Sequence, residues 1–330
     1  MSIRWRSFSL RILAWASLLA VLFGAWQRSS IEPRGTDKTA GLTVLKDLPA
    51  NEATRAPRLD LYLPEGGGPD APGPQGPALP VIVAIHGGSW TGGSKADYGP
   101  LVAPLARHGY AVVVPDYRLA RMSEPSWPEA LEDLRDTVRW VRRNAAAYGL
   151  DPDRVAALGS GAGGHLALLL GTHPPTEHPE GLDARIQAVI DLYGPADLAA
   201  LGRNRALEND PVYVLARETI PGALRSASPM SHVSVDDPPI LILHGLDDRW
   251  VPPDQSRALA ARFAGAGVNH RLLLLPGARH GFGLNLGGPE PRDLTPAVLE
   301  FLEIVWQARE RSPTRDNSVQ AQGPASSAAK

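Results

Sequence analysis

The chain has 330 residues, enough for one large domain with appended segments, and its 43% apolar and 21% charged residues exclude wholesale disorder. Lysine and arginine number 33 against 35 acidic residues, so a net charge of −2 offers no basic excess to attract nucleic acid. There is no cysteine, which excludes disulfides, thiolate metal sites and a cysteine nucleophile, though not an exported location.

Residues 1–28 begin with Arg4, Arg6 and Arg11 and no acid, followed by a charge-free run from Ile12 to Trp26. These are the basic and apolar regions of a secretory signal. Fifteen helical residues span roughly 22 Å, short of the ~30 Å hydrocarbon core, which favours a signal peptide. A cut after Ala25 would place Phe23 where a small residue is required, so an uncleaved membrane anchor stays open beside it. Three leading arginines hold the N-terminus in the cytoplasm. The domain is therefore expected outside the cytoplasm, periplasmic or secreted, and tethered to the inner membrane by residues 12–26 if they persist.

Residues 29–52 are polar and mixed and read as a linker; residues 53–310 read as the folded domain. Leu59 to Leu63 alternates and predicts a half-exposed strand. Pro64 to Pro80 is a loop rich in proline and glycine. Val81–Ile85 and Ala111–Val114 are continuous apolar runs, the pattern of buried strands. From Pro128 to Tyr148 the apolar residues recur at 131, 134, 138 and 141, a helical period that Gly149 and Pro152 terminate. Val155–Leu158, Ala188–Leu192, Ile240–Leu243 and Leu272–Leu275 are further strand candidates, with helices over Gln255–Ala264 and Pro296–Ala308. Strands alternating with helices predict an α/β fold: a mainly parallel sheet with helices on both faces. Residues 311–330 hold one large aliphatic residue, Val319, and read as a disordered tail.

In a parallel sheet, ligands bind at the carboxyl ends of the strands. Three such ends carry chemistry. His86-Gly87-Gly88-Ser89-Trp90 follows the strand at 81–85, and its glycines can turn N–H groups toward a ligand. His244-Gly245-Leu246-Asp247-Asp248 follows the strand at 240–243, and Gly277-Ala278-Arg279-His280-Gly281-Phe282 follows the one at 272–275. An acid and a histidine at neighbouring strand ends can pair, the carboxylate orienting the imidazole for proton transfer.

These motifs, with Asp116-Tyr117-Arg118-Leu119, Pro128-Glu129-Ala130, Asp133, Tyr193-Gly194-Pro195, Ser228-Pro229 and Pro238-Pro239, occur in an order that resembles the α/β-hydrolase superfamily. The likeness runs from about residue 59 to about 305. It is to the small esterases grouped with hormone-sensitive lipase and to bacterial feruloyl-esterase-like enzymes. The resemblance implies an α/β-hydrolase fold, His280 as general base, Asp248 as its acid in preference to Asp247, and oxyanion N–H groups from Gly87, Gly88 and Ala162.

The family's elbow reads Gly-x-Ser-x-Gly and continues Ala-Gly-Gly-His-Leu. Here the sequence is Gly159-Ser160-Gly161-Ala162-Gly163-Gly164-His165-Leu166, which puts Gly161 at the serine's place. A register with Ser160 as nucleophile would set Leu158 and Ala162 where glycines belong. Ser160 is thus the alternative nucleophile, and it is expected to point away from the pocket. His165 reads as a packing histidine, and His173 and His178 lack metal-ligand company, so no metal and no cofactor are assigned. The resemblance implies a carboxylic-ester hydrolase scaffold for a small ester or amide, with turnover weak or lost. The alternative is a non-catalytic protein that binds a small molecule or partner in the inherited pocket.

Overall fold

A computed structural model describes residues 35–39, 41–53, 56–68, 77–173, 175, 178, 181–202, 211–216, 221–286 and 292–311. The apolar segment 12–26 and residues 312–330 of the tail lie outside them. Among the described residues no helix is long and apolar enough to cross a membrane.

The strands are β1 (Gly35–Thr39), β2 (Leu42–Pro49), β3 (Arg58–Pro64), β4 (Leu79–Ile85), β5 (Ala111–Pro115), β6 (Leu150–Ser160), β7 (Ala188–Leu192), β8 (Ile240–Gly245) and β9 (His270–Leu275). They form one sheet in the order β1-β2-β3-β5-β4-β6-β7-β8-β9. From β5 to β9 every neighbour pairs in parallel, while β1, β2 and β3 add an antiparallel edge. The helices that connect the strands are α1 (Lys95–Val102), α2 (Glu129–Tyr148), α3 (Ala162–Thr172), α4 (Leu198–Gly202), α5 (Pro211–Ala216), α6 (Pro221–Ser226), α7 (Asp254–Ala266) and α8 (Thr295–Arg311). A short hairpin of β10 (Asn285–Leu286) and β11 (Arg292–Asp293) precedes α8.

The period-2 alternation of a strand divides the core into two layers. Val81, Val83 and Ile85 of β4 face a layer completed by Leu134, Val138 and Trp140 of α2, by α3 and by Phe263 of α7. Ile82 and Ala84 face the opposite layer, closed by Tyr98 and Val102 of α1 and by Phe301, Leu302 and Trp306 of α8. Both faces are covered, which is why the central strands read as unbroken apolar runs.

Helix α2 ends at Gly149 in the left-handed region (φ 67°), its N–H returning to the Ala145 carbonyl, as the sequence predicts. Two expectations are corrected. Residues 35–39 and 42–49, inside the stretch read as a linker, are strands of the sheet. The strand at 59–63 is interior rather than half-exposed. Asp60 breaks its apolar pattern, yet it is buried because Lys95 Nζ lies 2.7 Å from its carboxylate. A buried charge is tolerated when a partner compensates it.

Candidate active site

The parallel register brings the ends of β4, β6, β7, β8 and β9 to one edge. At β6 the chain turns sharply into α3 through Gly161, with φ 55° and ψ −115°. Its N–H donates to the Leu192 carbonyl at 2.9 Å and its own carbonyl accepts from His165 N–H at 2.9 Å. The turn is compressed by close backbone approaches. A Cβ on Gly159 would stand 2.1 Å from the Gly163 carbonyl oxygen, and one on Gly163 would stand 2.1 Å from that of Ile85. Position 161 differs. A Cβ there would lie 3.4 Å from His280 Nε2 and 3.6 Å from the Tyr193 ring, ordinary contacts, so space does not demand glycine.

His280 sits on the turn after β9, and its Nδ1 lies 2.7 Å from Asp248 Oδ2. A carboxylate accepts, so Nδ1 carries the proton and Nε2 presents a lone pair toward residue 161. Asp248 Oδ1 accepts the N–H groups of Trp250 and Val251 at 2.8 and 2.9 Å. Burial would raise the Asp248 pKa, but hydrogen bonding with His244 and His280, the Val251 N–H and the His280 charge outweigh it and hold it well below the usual carboxylate range. His244 is itself fixed, Nε2 donating to the Val251 carbonyl and Nδ1 accepting from Ser256. Asp247 is exposed, and its N–H bonds the Ala278 carbonyl, so the acid brought to His280 is Asp248.

The turn after β4 faces this pair from the other side. Gly88 has φ 115°, and a Cβ on it would overlap the Gly92 carbonyl at 2.1 Å. His86 Nδ1 donates to the Gly87 carbonyl at 2.7 Å, and Tyr117 donates to the His86 carbonyl at 3.0 Å while its ring stacks on the imidazole. Burial lowers the His86 pKa despite that bond. Ala162 is the first residue of α3, where a helix leaves N–H groups without partners of its own.

Four further residues support the site: Tyr193, Trp90 and His165, which stand in motifs of the sequence without an assigned role in the chemistry, and Asp191, which carries no mark there. Tyr193 has φ 48°, donates to the Phe282 carbonyl at 2.6 Å and sets its ring edge-on to His280. Its place directly after the buried strand β7 was the available signal. Trp90 Nε1 donates to His165 Nδ1 at 3.1 Å, and His165 Nε2 donates to the Ala227 carbonyl at 2.7 Å. Burial pushes the His165 pKa down to about 4, so this pin between turn and helix is neutral. Behind the elbow, Asp191 is fully buried; Oδ1 accepts Gly194 N–H at 2.8 Å and Oδ2 has no partner. Burial raises its pKa to about 7 against the pull of that N–H and of His244.

Ser160 does not point away from the pocket. Alternation along β6 sends its side chain to the α1 face, where it lines a cavity of about 230 Å³ with Gly87, Gly88, Tyr98, Tyr193 and Phe282. Among the described residues, no group of three or more His, Asp or Glu side chains is placed to hold a metal ion.

The family model BD-FAE matches residues 59–263. Esterase LipQ of Mycobacterium tuberculosis (strain ATCC 25618 / H37Rv) is 32% identical over 274 residues, covering 80% of this chain and 63% of that protein. The probable carboxylic ester hydrolase LipM of the same organism is 32% identical over 307 residues, covering 86% of this chain and 68% of its own. This chain thus spans about two-thirds of the length of these relatives. Among solved structures, a truncated carbohydrate esterase from gut microbiota superposes with a TM-score of 0.68 at 26% identity, over 82% of this chain and all of that one.

Proposed function

Because the chain belongs to the BD-FAE family, within the α/β-hydrolase esterase superfamily, we propose that it processes carboxylic esters slowly and without an acyl-enzyme. Gly161 stands at the nucleophile's position, and His280 activates a water molecule there in the serine's place. The observation that carries this reading is the ordinary-contact space at residue 161, 3.4 Å from His280 Nε2, beside an intact 2.7 Å bond to Asp248.

The steps follow from the groups present. The ester carbonyl oxygen takes N–H groups of Gly87, Gly88 and Ala162. Water at residue 161 gives a proton to His280 Nε2 as its oxygen bonds the carbonyl carbon, and the imidazolium, oriented by Asp248, passes that proton to the departing alcohol. Proteases stripped of their triad keep roughly 10³–10⁴-fold acceleration over water from binding and oxyanion contacts, which sets the scale of turnover.

The test is hydrolysis of p-nitrophenyl acetate by the purified chain and by His280→Ala, with a fluorophosphonate probe alongside. Expected are slow hydrolysis above the buffer rate, its loss in His280→Ala, and no labelling. Labelling that vanishes in Ser160→Ala would assign Ser160 as nucleophile; no hydrolysis at all would favour a protein that only binds in this pocket.

We further propose that residues 12–26 place the domain outside the cytoplasm, at the membrane while they remain attached. The support is Arg4, Arg6 and Arg11 ahead of a charge-free run. Fractionated cells should hold the full chain in the membrane or a shortened chain outside the cytoplasm; soluble cytoplasmic protein with residues 1–28 intact would sink it.

A further inference from the structure

The strand register fixes where the N-terminal segment joins the domain. Thr36 pairs with Leu45, Leu45 with Leu61 and Leu61 with Val113, which lies two residues short of the end of β5 at Pro115. Each of these pairings is antiparallel, so β1 runs opposite to β5 and starts, at Gly35, by the edge where β4 and β5 end. The charge-free run ends at Trp26, which leaves the eight residues 27–34 before Gly35. Eight residues reach at most ~27 Å. The same edge gathers exposed apolar side chains. Among the described residues six large ones are exposed, and four of them, Leu101, Met122, Leu246 and Trp250, lie on the segments that follow β4, β5 and β8. Leu101 is 57% exposed and also lines the cavity beside Gly87 and Gly88. Met122 stands two residues beyond Ala120, whose N–H donates to the Trp90 carbonyl at 2.8 Å. Trp250 is 69% exposed while its N–H bonds Asp248. The remaining two lie elsewhere, Val235 ahead of β8 and Ile304 on α8.

We propose that this edge is a membrane-docking face: the mouth of the cavity rests on the bilayer that residues 12–26 engage, with Leu101, Met122, Leu246 and Trp250 set among the lipid headgroups. The assignment rests on the membrane location proposed above for the chain that keeps residues 12–26. Apolar side chains scattered singly over a surface need no partner, but a group gathered at one edge marks an interaction site. The tether decides the partner. A domain whose first strand starts within ~27 Å of the apolar run is held beside the bilayer at a high effective concentration. An indole, with an apolar body and one N–H, suits the boundary between lipid and water. Charge is balanced there: exposed Arg121, Arg249 and Arg279 share these segments with exposed Asp97, Glu124 and Asp247. Insertion of apolar side chains, rather than attraction to anionic headgroups, therefore holds the face, and a neutral bilayer suffices. Because Leu101 belongs both to the cavity wall and to the face, an ester dissolved at the membrane surface reaches the cavity without crossing bulk water.

The chain has no cysteine, so a single introduced thiol can be labelled cleanly. Leu101→Cys, Met122→Cys and Trp250→Cys report on the face, and Asn269→Cys reports on the opposite edge, where exposed Asn269 directly precedes β9. Each full-length variant carries an environment-sensitive fluorophore and is bound to phosphatidylcholine vesicles with and without nitroxide-labelled acyl chains. The nitroxide lipid should quench the labels at 101, 122 and 250 by about twofold or more and leave the label at 269 unchanged, and added salt should not alter the pattern. Vesicle-bound protein whose labels at 101, 122 and 250 stay as bright as that at 269, or a label at 269 quenched as strongly as they are, would overturn the docking face and leave the tether standing. Full-length protein that stays off the vesicles would overturn the tether and the docking face together. Hydrolysis has no part in this reading, so its absence would remove the ester-processing proposal alone.

Discussion

The elbow at residues 159–164 and the Asp248–His280 pair are held by different forces. The elbow rests on backbone approaches that admit no side chain, with a Cβ on Gly159 or Gly163 falling 2.1 Å from a carbonyl oxygen. The pair rests on side-chain hydrogen bonds, with Asp248 accepting from His280 and from the Trp250 and Val251 N–H groups. A turn made by glycine contacts keeps its shape when one side chain at its tip is lost. A buried carboxylate that loses a partner is left with uncompensated charge. The pair therefore has a structural reason to persist beside its chemical one, and its presence is a weaker sign of turnover than it first looks. Residue 161 is where the two regions meet, and substitutions there and behind it separate them.

The largest effect is expected from Gly161→Ser. The turn is already formed, His280 Nε2 is 3.4 Å from the new Cβ, and the oxyanion turn is in place. A serine should complete the nucleophile–base–acid relay and raise p-nitrophenyl acetate hydrolysis by on the order of 10²-fold or more, with new fluorophosphonate labelling. The positive φ of 55° is strained for a residue with a Cβ, so unfolding in denaturant should show a loss of about 1–3 kcal/mol. An unchanged rate in a folded variant would mean that the pocket has been remodelled beyond the missing hydroxyl.

Next in size is the contrast between Gly163→Ala and Gly161→Ala. At 163 a methyl group overlaps the Ile85 carbonyl oxygen at 2.1 Å, so β4 and α3 must part. That should cost at least about 3 kcal/mol, as overpacking does when backbone cannot give. At 161 the methyl has room and bears only the φ penalty, about 1–2 kcal/mol. Equal losses in thermal or denaturant unfolding would show that the elbow is not held by these contacts.

The sheet, its parallel run and the acid–histidine pairing were legible because each rests on a local pattern. Val81–Ile85 is a continuous apolar run, and Asp248 and His280 each follow one. What escaped was set by partners distant in sequence. Asp60 breaks an apolar strand pattern and is buried only because Lys95, 35 residues on, reaches it. The strand at 35–39 has the polar sequence of an edge strand, and the one at 42–49, though it buries Leu42, Val44, Leu45 and Leu48, owes its place to pairing with the strands on either side of it. Ser160 was read as facing away because the likeness fixed its place in a motif, while its direction depends on the alternation of β6 and on the cavity beside α1. Tyr98 carries no mark at all, since an aromatic on a short helix reads as core.

A smaller effect distinguishes the carboxyl group behind the elbow from the one beside His280. Asp191 has its pKa raised to about 7 by burial, from an ordinary value of 3.8. Between those values the folded chain holds a proton that the unfolded chain has released, so this group makes stability fall as pH rises from about 4 to 7. Asp191→Asn imitates the protonated acid. Near pH 4 it should match the wild type, and at pH 8 it should be more stable by on the order of 2–4 kcal/mol, read from urea unfolding at each pH. Asp248, held low, contributes in the opposite sense, losing stabilisation only under strong acid. A wild-type pH profile that Asp191→Asn leaves unaltered would show that Asp191 is ionised in the fold.

The smallest expected effect separates the two adjacent acids. Asp247 and Asp248 are chemically identical and one bond apart in the chain, so only their surroundings can assign them different work. Asp248 is buried and accepts from three groups, whereas Asp247 is exposed and engages the fold through its backbone N–H to Ala278. Asp247→Asn keeps that backbone bond and removes a solvated charge. Its stability should stay within about 0.5 kcal/mol of the parent. In the Gly161→Ser background its hydrolysis rate should stay within about twofold, because screening by water leaves little of a surface charge's influence at His280. Asp248→Asn in that same background should remove the gain that the serine brings, a loss on the order of 10²-fold, as an amide there no longer holds the imidazole in the productive tautomer. A large loss in Asp247→Asn with Asp248→Asn nearly silent would reverse the assignment of the acid and, with it, the direction in which His280 presents its lone pair.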